Sequence, residues 1–187
     1  MKKIVAVIGD SVIEKKSLKY KIAYEVGQAL IDNGYRIQTG GMGGVMKATF
    51  EGAHSSKKYQ DGDTISILPS FNKTISNGLG DILIATGLDI GRNVLDVNAD
   101  FVVVIGGGAG TMAEIASAWS LFRPIVAFDN VEGWSQKVAG TKIDHRKRYD
   151  FDDKVFAVSS VEQMIAVINS KIGLYTRYHQ GIGKSHD

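Results

Sequence analysis

Residues Phe101-Val-Val-Val-Ile105 run directly into Gly106-Gly-Gly-Ala-Gly110-Thr111-Met-Ala-Glu114. Five consecutive β-branched or aromatic apolar residues, with no polar alternation, fit a strand covered on both faces, as in a parallel sheet. Gly106, Gly107, Gly108 and Gly110 admit positive φ and let a ligand approach the backbone closely. A helix starting there turns its free N–H groups and positive dipole end toward the loop, which favours a phosphate. The stretch therefore predicts a strand, a turn and a helix forming one wall of a nucleotide-type site. Thr111 and Glu114 also have a plainer explanation. Thr-x-x-Glu at a helix start is the spacing of a capping box, and spacing alone favours that explanation.

The same theme recurs along the chain. Ile4–Ile8 reads as a first buried strand followed by Gly9-Asp10-Ser11. Leu18, Ile22, Val26, Ala29 and Leu30 then repeat at helical spacing up to the stop at Asn33-Gly34. Tyr35–Gln38 predicts a strand that delivers Thr39-Gly40-Gly41-Met42-Gly43-Gly44, with a helix from Val45. Further strands are expected at Thr64–Leu68, Ile82–Ala85, Ile125–Phe128 and Val155–Val158. Ser70–Asp81 reads as a loop, Arg92–Ala99 as a short helix, and Val161–Ile172 as a last amphipathic helix. The helix carrying Glu114 is expected to stop before Pro124. Asp129–Asp153 is a polar, basic-rich insertion. Alternating strands and helices joined by short glycine-rich loops define an α/β, doubly wound, mostly parallel sheet flanked by helices, Rossmann-like and in a single domain. Ligands bind such sheets beyond the carboxyl ends of the strands. The glycine loops after Ile8, Gln38, Ala85 and Ile105 all fall at that end.

Composition narrows the function classes. A chain of 187 residues is long enough to bury roughly 70% of its unfolded surface in one core. We expect a domain over 1–173 and a polar tail over 174–187 that is partly disordered unless a partner holds it. A formal net charge of +2 argues for neither nucleic acid nor membrane binding. The absence of cysteine excludes disulfides, thiolate metal sites and a Cys nucleophile. His54, His145, His179 and His186 show no metal-ligand spacing, so no metal site is expected. Asp10 interrupts the first apolar run after a few residues, which marks a strand and not a targeting segment, and a cytoplasmic location is expected.

Gly108-Ala-Gly110-Thr-Met-Ala113 fits the dinucleotide fingerprint, with Asp129 about where a ribose-binding acid would lie. That fingerprint normally opens the first βαβ unit, however, and here it lies late in the chain. Gly107-Gly108-Ala109-Gly110-Thr111-Met112-Ala113-Glu114 resembles instead the G-G-x-G-T-x-x-E signature of the LOG-like family, named for cytokinin-activating phosphoribohydrolases and related to the DprA/Smf nucleotide-binding fold. Thr39-Gly40-Gly41-Met42-Gly43-Gly44-Val45-Met46 is similar to that family's second glycine loop. Thr86-Gly87-Leu88 through Arg92-Asn93 resembles a segment of a LOG-related subgroup, as do Asp61-Gly62 and Ala139-Gly140 through Arg146. The resemblance spans about residues 3–170.

The resemblance implies a catalytic pair, Arg92 and Glu114. It implies a phosphate cradle of Gly107, Gly108, Gly110 and Thr111, and a nucleotide framed by Gly41 and Gly44. Its first implication is hydrolysis of a nucleoside 5′-monophosphate to free base and ribose 5-phosphate, with no cofactor required. A carboxylate beside the ribose would stabilise oxocarbenium character, and an arginine would offer a fixed fork of donors. The phosphoribohydrolases usually carry Pro where this chain has Gly106, and Lys where it has Asn93. The subgroup includes molybdenum cofactor carrier proteins, so the alternative is a non-catalytic carrier or sensor, with a nucleotide or the molybdenum cofactor as ligand. Asn93 and Ser11 are further candidate ligand contacts, an ordinary turn being an equal explanation for Asp10-Ser11. A surface Arg92 paired with Asp89 or Asp96 is the plain alternative for that residue. His145-Arg146-Lys147-Arg148 reads as a solvated basic loop. Trp119, Leu121 and Phe122 read as core or subunit interface, and the resemblance implies a homodimer or homotetramer.

Overall fold

In the computed structural model, which describes residues 1–179, the apolar runs become seven parallel strands. They are β1 (Ile4–Gly9), β2 (Arg36–Thr39), β3 (Thr64–Leu68), β4 (Ile82–Ala85), β5 (Phe101–Ile105), β6 (Ile125–Phe128) and β7 (Phe156–Val158), and their spatial order is β4-β3-β2-β1-β5-β6-β7. The chain winds outward from β1 to β4, then crosses back so that β5 pairs with β1 on its other side. The carboxyl ends of β1 and β5 therefore flank the point where strand order reverses, the usual ligand position in such sheets. β5 is buried from end to end and β1 from Val5 to Ile8, as their unbroken apolar runs require.

Among the described residues, six α-helices form the outer layers: α1 (Leu18–Asp32), α2 (Gly44–Ser55), α3 (Asn93–Asp96), α4 (Ala109–Ser120), α5 (Trp134–Val138) and α6 (Val161–Lys171). Alternate residues of β1 and β5 feed two cores. Val5, Val7, Phe101 and Val103 meet α1, α2 and α6, whereas Ala6, Ile8, Val102 and Val104 meet α4. Ser17 begins α1 as an N-cap, its hydroxyl accepting from the Tyr20 N–H. α3 is shorter than the helix expected over 92–99. A 3₁₀ turn at Asp89–Arg92 precedes it, and its last carbonyls, on Leu95 and Asp96, accept from the buried side chain of Gln38 on β2.

The basic run departs from the solvated loop expected at 145–148 only at its last residue, since His145, Arg146 and Lys147 are exposed. Arg148 is buried, stacks 3.5 Å over the Trp119 ring and forms a two-pronged ion pair with buried Asp153. Asp153 also accepts from Tyr175, at 2.6 Å, and Arg177 donates to the Arg148 carbonyl. Trp119 is thereby core. The start of the expected tail is tied down at Tyr175, and residues 180–187, with His186, lie outside the described residues.

Removing the guanidinium would strand the Asp153 charge in the interior. Arg148→Ala is expected to lower the unfolding free energy by about 3–5 kcal/mol in urea titrations. Lys147→Ala, at an exposed pair with Asp150, should change it by less than about 0.5 kcal/mol.

Candidate functional site

The glycine turn after β5 is pinned from two sides. Gly106 and Gly107 have φ of +66° and +101°, conformations glycine adopts at little cost. The Gly106 N–H donates to the Ser135 hydroxyl, and the Gly107 N–H donates to an Asp10 carboxylate oxygen. The carbonyls of Gly106 and Gly107 accept in turn from the N–H groups of Ser135 and Trp134. The start of α5 thus buttresses the turn, which gives the 129–153 insertion a structural role.

Asp10 does more than the turn expected of it. The same carboxylate oxygen accepts from Lys19 Nζ at 2.7 Å, and the Asp10 carbonyl accepts from the Val45 N–H at the start of α2. One residue after β1 therefore couples the loop after β5 to the loop after β2.

The helix start also differs from the capping box. α4 begins at Ala109 with Gly108 as its N-cap and no side-chain cap bond, so Thr111 sits in the third helical position. Its hydroxyl donates to the Gly9 carbonyl at 3.2 Å, tying α4 to the end of β1. Glu114 lies about one turn further along, too far from the helix start to cap it. The first-turn N–H groups of Ala109, Gly110 and Thr111 have no intrahelical acceptor by position. A Cβ added to Gly108 or Gly110 would meet nothing within 4 Å, so these two glycines open directly onto free space.

That space is a cleft of about 420 Å³ at the switch point. Of the sequence-predicted residues, it brings together Ser11, Arg92, Asn93, Gly108, Gly110, Thr111 and Glu114. Gly41, Gly44 and Gly107 do not line it. A Cβ on Gly41 would strike the Ser66 side chain, one on Gly44 the Asp10–Ser11 backbone, and one on Gly107 the Thr111 side chain, so these glycines allow close packing behind the wall. Gly40 lines the cleft in their place, and a Cβ there would lie 2.5 Å from the Arg92 guanidinium. Met46 and Ile90 add apolar lining. The loop sequence Gly40-Gly41 does not reveal which glycine faces the cleft, because that depends on where Arg92 packs. Asp129, the ribose-binding acid of the dinucleotide fingerprint, instead accepts from the Ser159 hydroxyl and does not line the cleft.

Arg92 is paired with Asp96, as its plain alternative held, but not on the surface. The Asp96 side chain is 1% exposed and that of Arg92 12%. The signal for this pair was the i,i+4 spacing. Burial lowers the affinity of Arg92 for its proton, and the nearby Glu114 charge opposes that effect. Burial also raises the Glu114 carboxyl to about 7, with Arg92 pulling the other way. The cleft thus sets one arginine between two acids, beside a helix start with free N–H groups. This arrangement can bind an anion at the helix, and can offer Glu114 as a neutral hydrogen-bond donor or as a carboxylate near neutral pH.

Sheet topology and cleft together define a Rossmann-like protein with a cleft at the switch point. The chain belongs to the SLOG cluster4 family, whose sequence model matches residues 2–165. Among solved structures it is similar to the structural-genomics target TM1055, at 30% identity and a TM-score of 0.75 over 91% of this chain and 99% of that one. It is likewise similar to the molybdenum cofactor binding protein of Rippkaea orientalis, at 32% identity and a TM-score of 0.73 over 92% and 98%. The Moco carrier protein of Chlamydomonas reinhardtii matches at 27% identity and a TM-score of 0.70 over 93% and 99%.

Glu114 keeps its proton in the folded chain to a higher pH than in the unfolded chain. Between the ordinary carboxyl value of 4.5 and about 7 the folded state binds the extra proton, so this group's contribution to stability falls as pH rises through that window and stays reduced above it. Glu114→Gln is therefore expected to match the native chain near pH 4.5 and to exceed its stability at pH 8 by on the order of 3 kcal/mol. Urea unfolding of both proteins at the two pH values measures the difference.

Proposed function

We propose that the cleft holds the molybdenum cofactor, a phosphorylated pterin, and releases it unchanged, so that the protein is a carrier. The observation that carries this proposal is the glycine turn itself. Gly106 has φ +66° and uses its N–H on Ser135. Proline can supply neither, because its ring fixes φ near −65° and it has no N–H. The turn is therefore built differently from one carrying the Pro usual in the phosphoribohydrolases. The cleft fits a phosphorylated ligand. Free N–H groups of Ala109, Gly110 and Thr111 offer a phosphate site at a helix start. Gly108 and Gly110 leave room for it, Met46 and Ile90 provide apolar surface for a flat ring, and the Asn93 side chain offers a neutral donor and acceptor. The likeness to the Rippkaea and Chlamydomonas proteins supports the same ligand.

A second proposal, the phosphoribohydrolase, is favoured by one observation. Arg92 and Glu114 lie together in the cleft, next to the phosphate position. In it, ionised Glu114 would stabilise the developing sugar cation and orient the attacking water. Both that charge and the arginine fork are compromised here, since burial favours the protonated acid and Arg92 is engaged by Asp96.

Purified protein titrated with molybdenum cofactor should show saturable binding, and incubation with AMP and other monophosphates should release no free base. Gly108→Leu should leave stability within about 1 kcal/mol, because φ there is −101° and the space is open, yet weaken binding at least tenfold by filling the cleft. Turnover of any monophosphate to free base would replace the carrier with the hydrolase. Absence of cofactor binding by folded protein would eliminate the carrier.

A further inference from the structure

We propose that Glu114 binds the anionic ligand of the cleft as the neutral acid, donating a hydrogen bond to it, so that a proton is taken from solvent as the ligand binds. The proposal rests on the reading that the cleft seats an anion at the start of α4, whichever ligand carries that anion. Position is the first support. Glu114 follows Gly110 and Thr111 by four and three residues, so it stands on their face of α4 and lines the cleft with them. Long helical side chains lean toward the N-terminus, which brings this carboxyl back over the first turn. An anion seated on the free N–H groups there stands out from the backbone, toward the carboxyl. The second support is a missing partner. Glu114 is 9% exposed, and among the described residues its carboxyl makes no hydrogen bond and no ion pair. A buried polar group in that state is costly, and a ligand atom in the cleft supplies the partner it lacks.

The charges around Glu114 decide which form can meet an anion. α4 has no other titratable residue, and β1, β5 and β6, against which it packs, have none at all. From α3 and the turn before it come Arg92 and Asp96, which answer each other, and Asp89, which is exposed. Beyond β1 comes Asp10, answered by Lys19 of α1. Asp144 accepts from Trp119 toward the far end of α4 and is answered by Arg146. An ionised Glu114 would therefore put a largely unanswered negative charge in the wall where the anion docks, and burial strengthens that repulsion. The protonated carboxyl removes the charge and turns the same group into a donor. Burial already raises this carboxyl to about 7, so the neutral form is at hand near neutral pH. A neutral donor here also selects the ligand class, favouring one that presents an anionic oxygen to the first turn of α4.

Inorganic sulfate is the probe, because it stays a dianion between about pH 6 and 8 and is small enough to occupy the anion position alone. Titrated into the isotope-labelled full-length chain, it should shift the amide signals of Gly110 and Thr111 to saturation. Its affinity should be about tenfold lower near pH 8 than near pH 6, as the neutral fraction of Glu114 falls. Glu114→Gln keeps a donor and cannot ionise, so its affinity should be flat over that range and exceed the native value near pH 8. Because every other residue stays in place, a flat profile ascribes the native pH dependence to Glu114. Glu114→Met removes donor and charge together, and should bind with an equally flat profile but several-fold more weakly than Glu114→Gln. The proposal is overturned by a native affinity that does not change with pH, or by a pH dependence that persists in Glu114→Gln. Equal affinity of the Gln and Met variants, or no saturable sulfate binding, overturns it as well. The carrier reading stands or falls separately, on titration with the molybdenum cofactor: proton-linked sulfate binding without cofactor binding would remove the carrier alone.

Discussion

Asp10 holds the site together. Its carboxylate takes the Gly107 N–H and Lys19, and its carbonyl takes the Val45 N–H at the start of α2. Glycines can adopt the turn after β5, but nothing in glycine selects that turn over others, since the conformational freedom that permits it also permits alternatives. Selection comes from polar groups that would be left unpaired in any other conformation: the Asp10 carboxylate on one side, and the Ser135 hydroxyl with the Trp134 and Ser135 N–H groups on the other. The helix start that faces the cleft is thus aimed by residues far apart in the chain.

The second constraint is electrostatic. Asp96 is almost fully buried and needs a partner, and Arg92 supplies it from the same helical turn. The arginine can then answer only part of the Glu114 charge, and burial prevails in holding Glu114 protonated toward neutral pH. Without Asp96 the same cleft would hold a freer guanidinium and a more acidic Glu114, which is the better arrangement for stabilising a sugar cation. The chemistry of the pair is therefore decided by a third residue outside the glycine-Thr-Glu motif.

Most of the fold is legible in the sequence because its signals are local. An unbroken apolar run such as Phe101–Ile105 can only be a buried element, and the glycines that follow mark its end. Where the structure departs from expectation, a contact distant in sequence decides the outcome. Thr111 reads as a capping residue until the end of β1 places the Gly9 carbonyl beside its hydroxyl. Arg148 reads as solvated until the Trp119 ring and Asp153 arrive from other segments. Within the site, Arg92, Glu114, Gly108 and Gly110 are identifiable from motif, whereas the exchange of Gly40 for Gly41 and Gly44 in the lining depends on where the arginine packs.

The short α3 links these threads. The crossover from β4 must carry Arg92 and Asn93 to the carboxyl end of the sheet and then return at once to begin β5. Gln38 secures that geometry by donating to the carbonyls of Leu95 and Asp96, which satisfies the end of a helix that has only just started. A longer helix would cover Ile82 and Ile84, but it would also move the carbonyls away from Gln38 and the guanidinium away from Gly40. The cleft's arginine and the exposed Ile82 and Ile84 therefore share one cause, a crossover kept to a single turn so that its first residues reach the cleft.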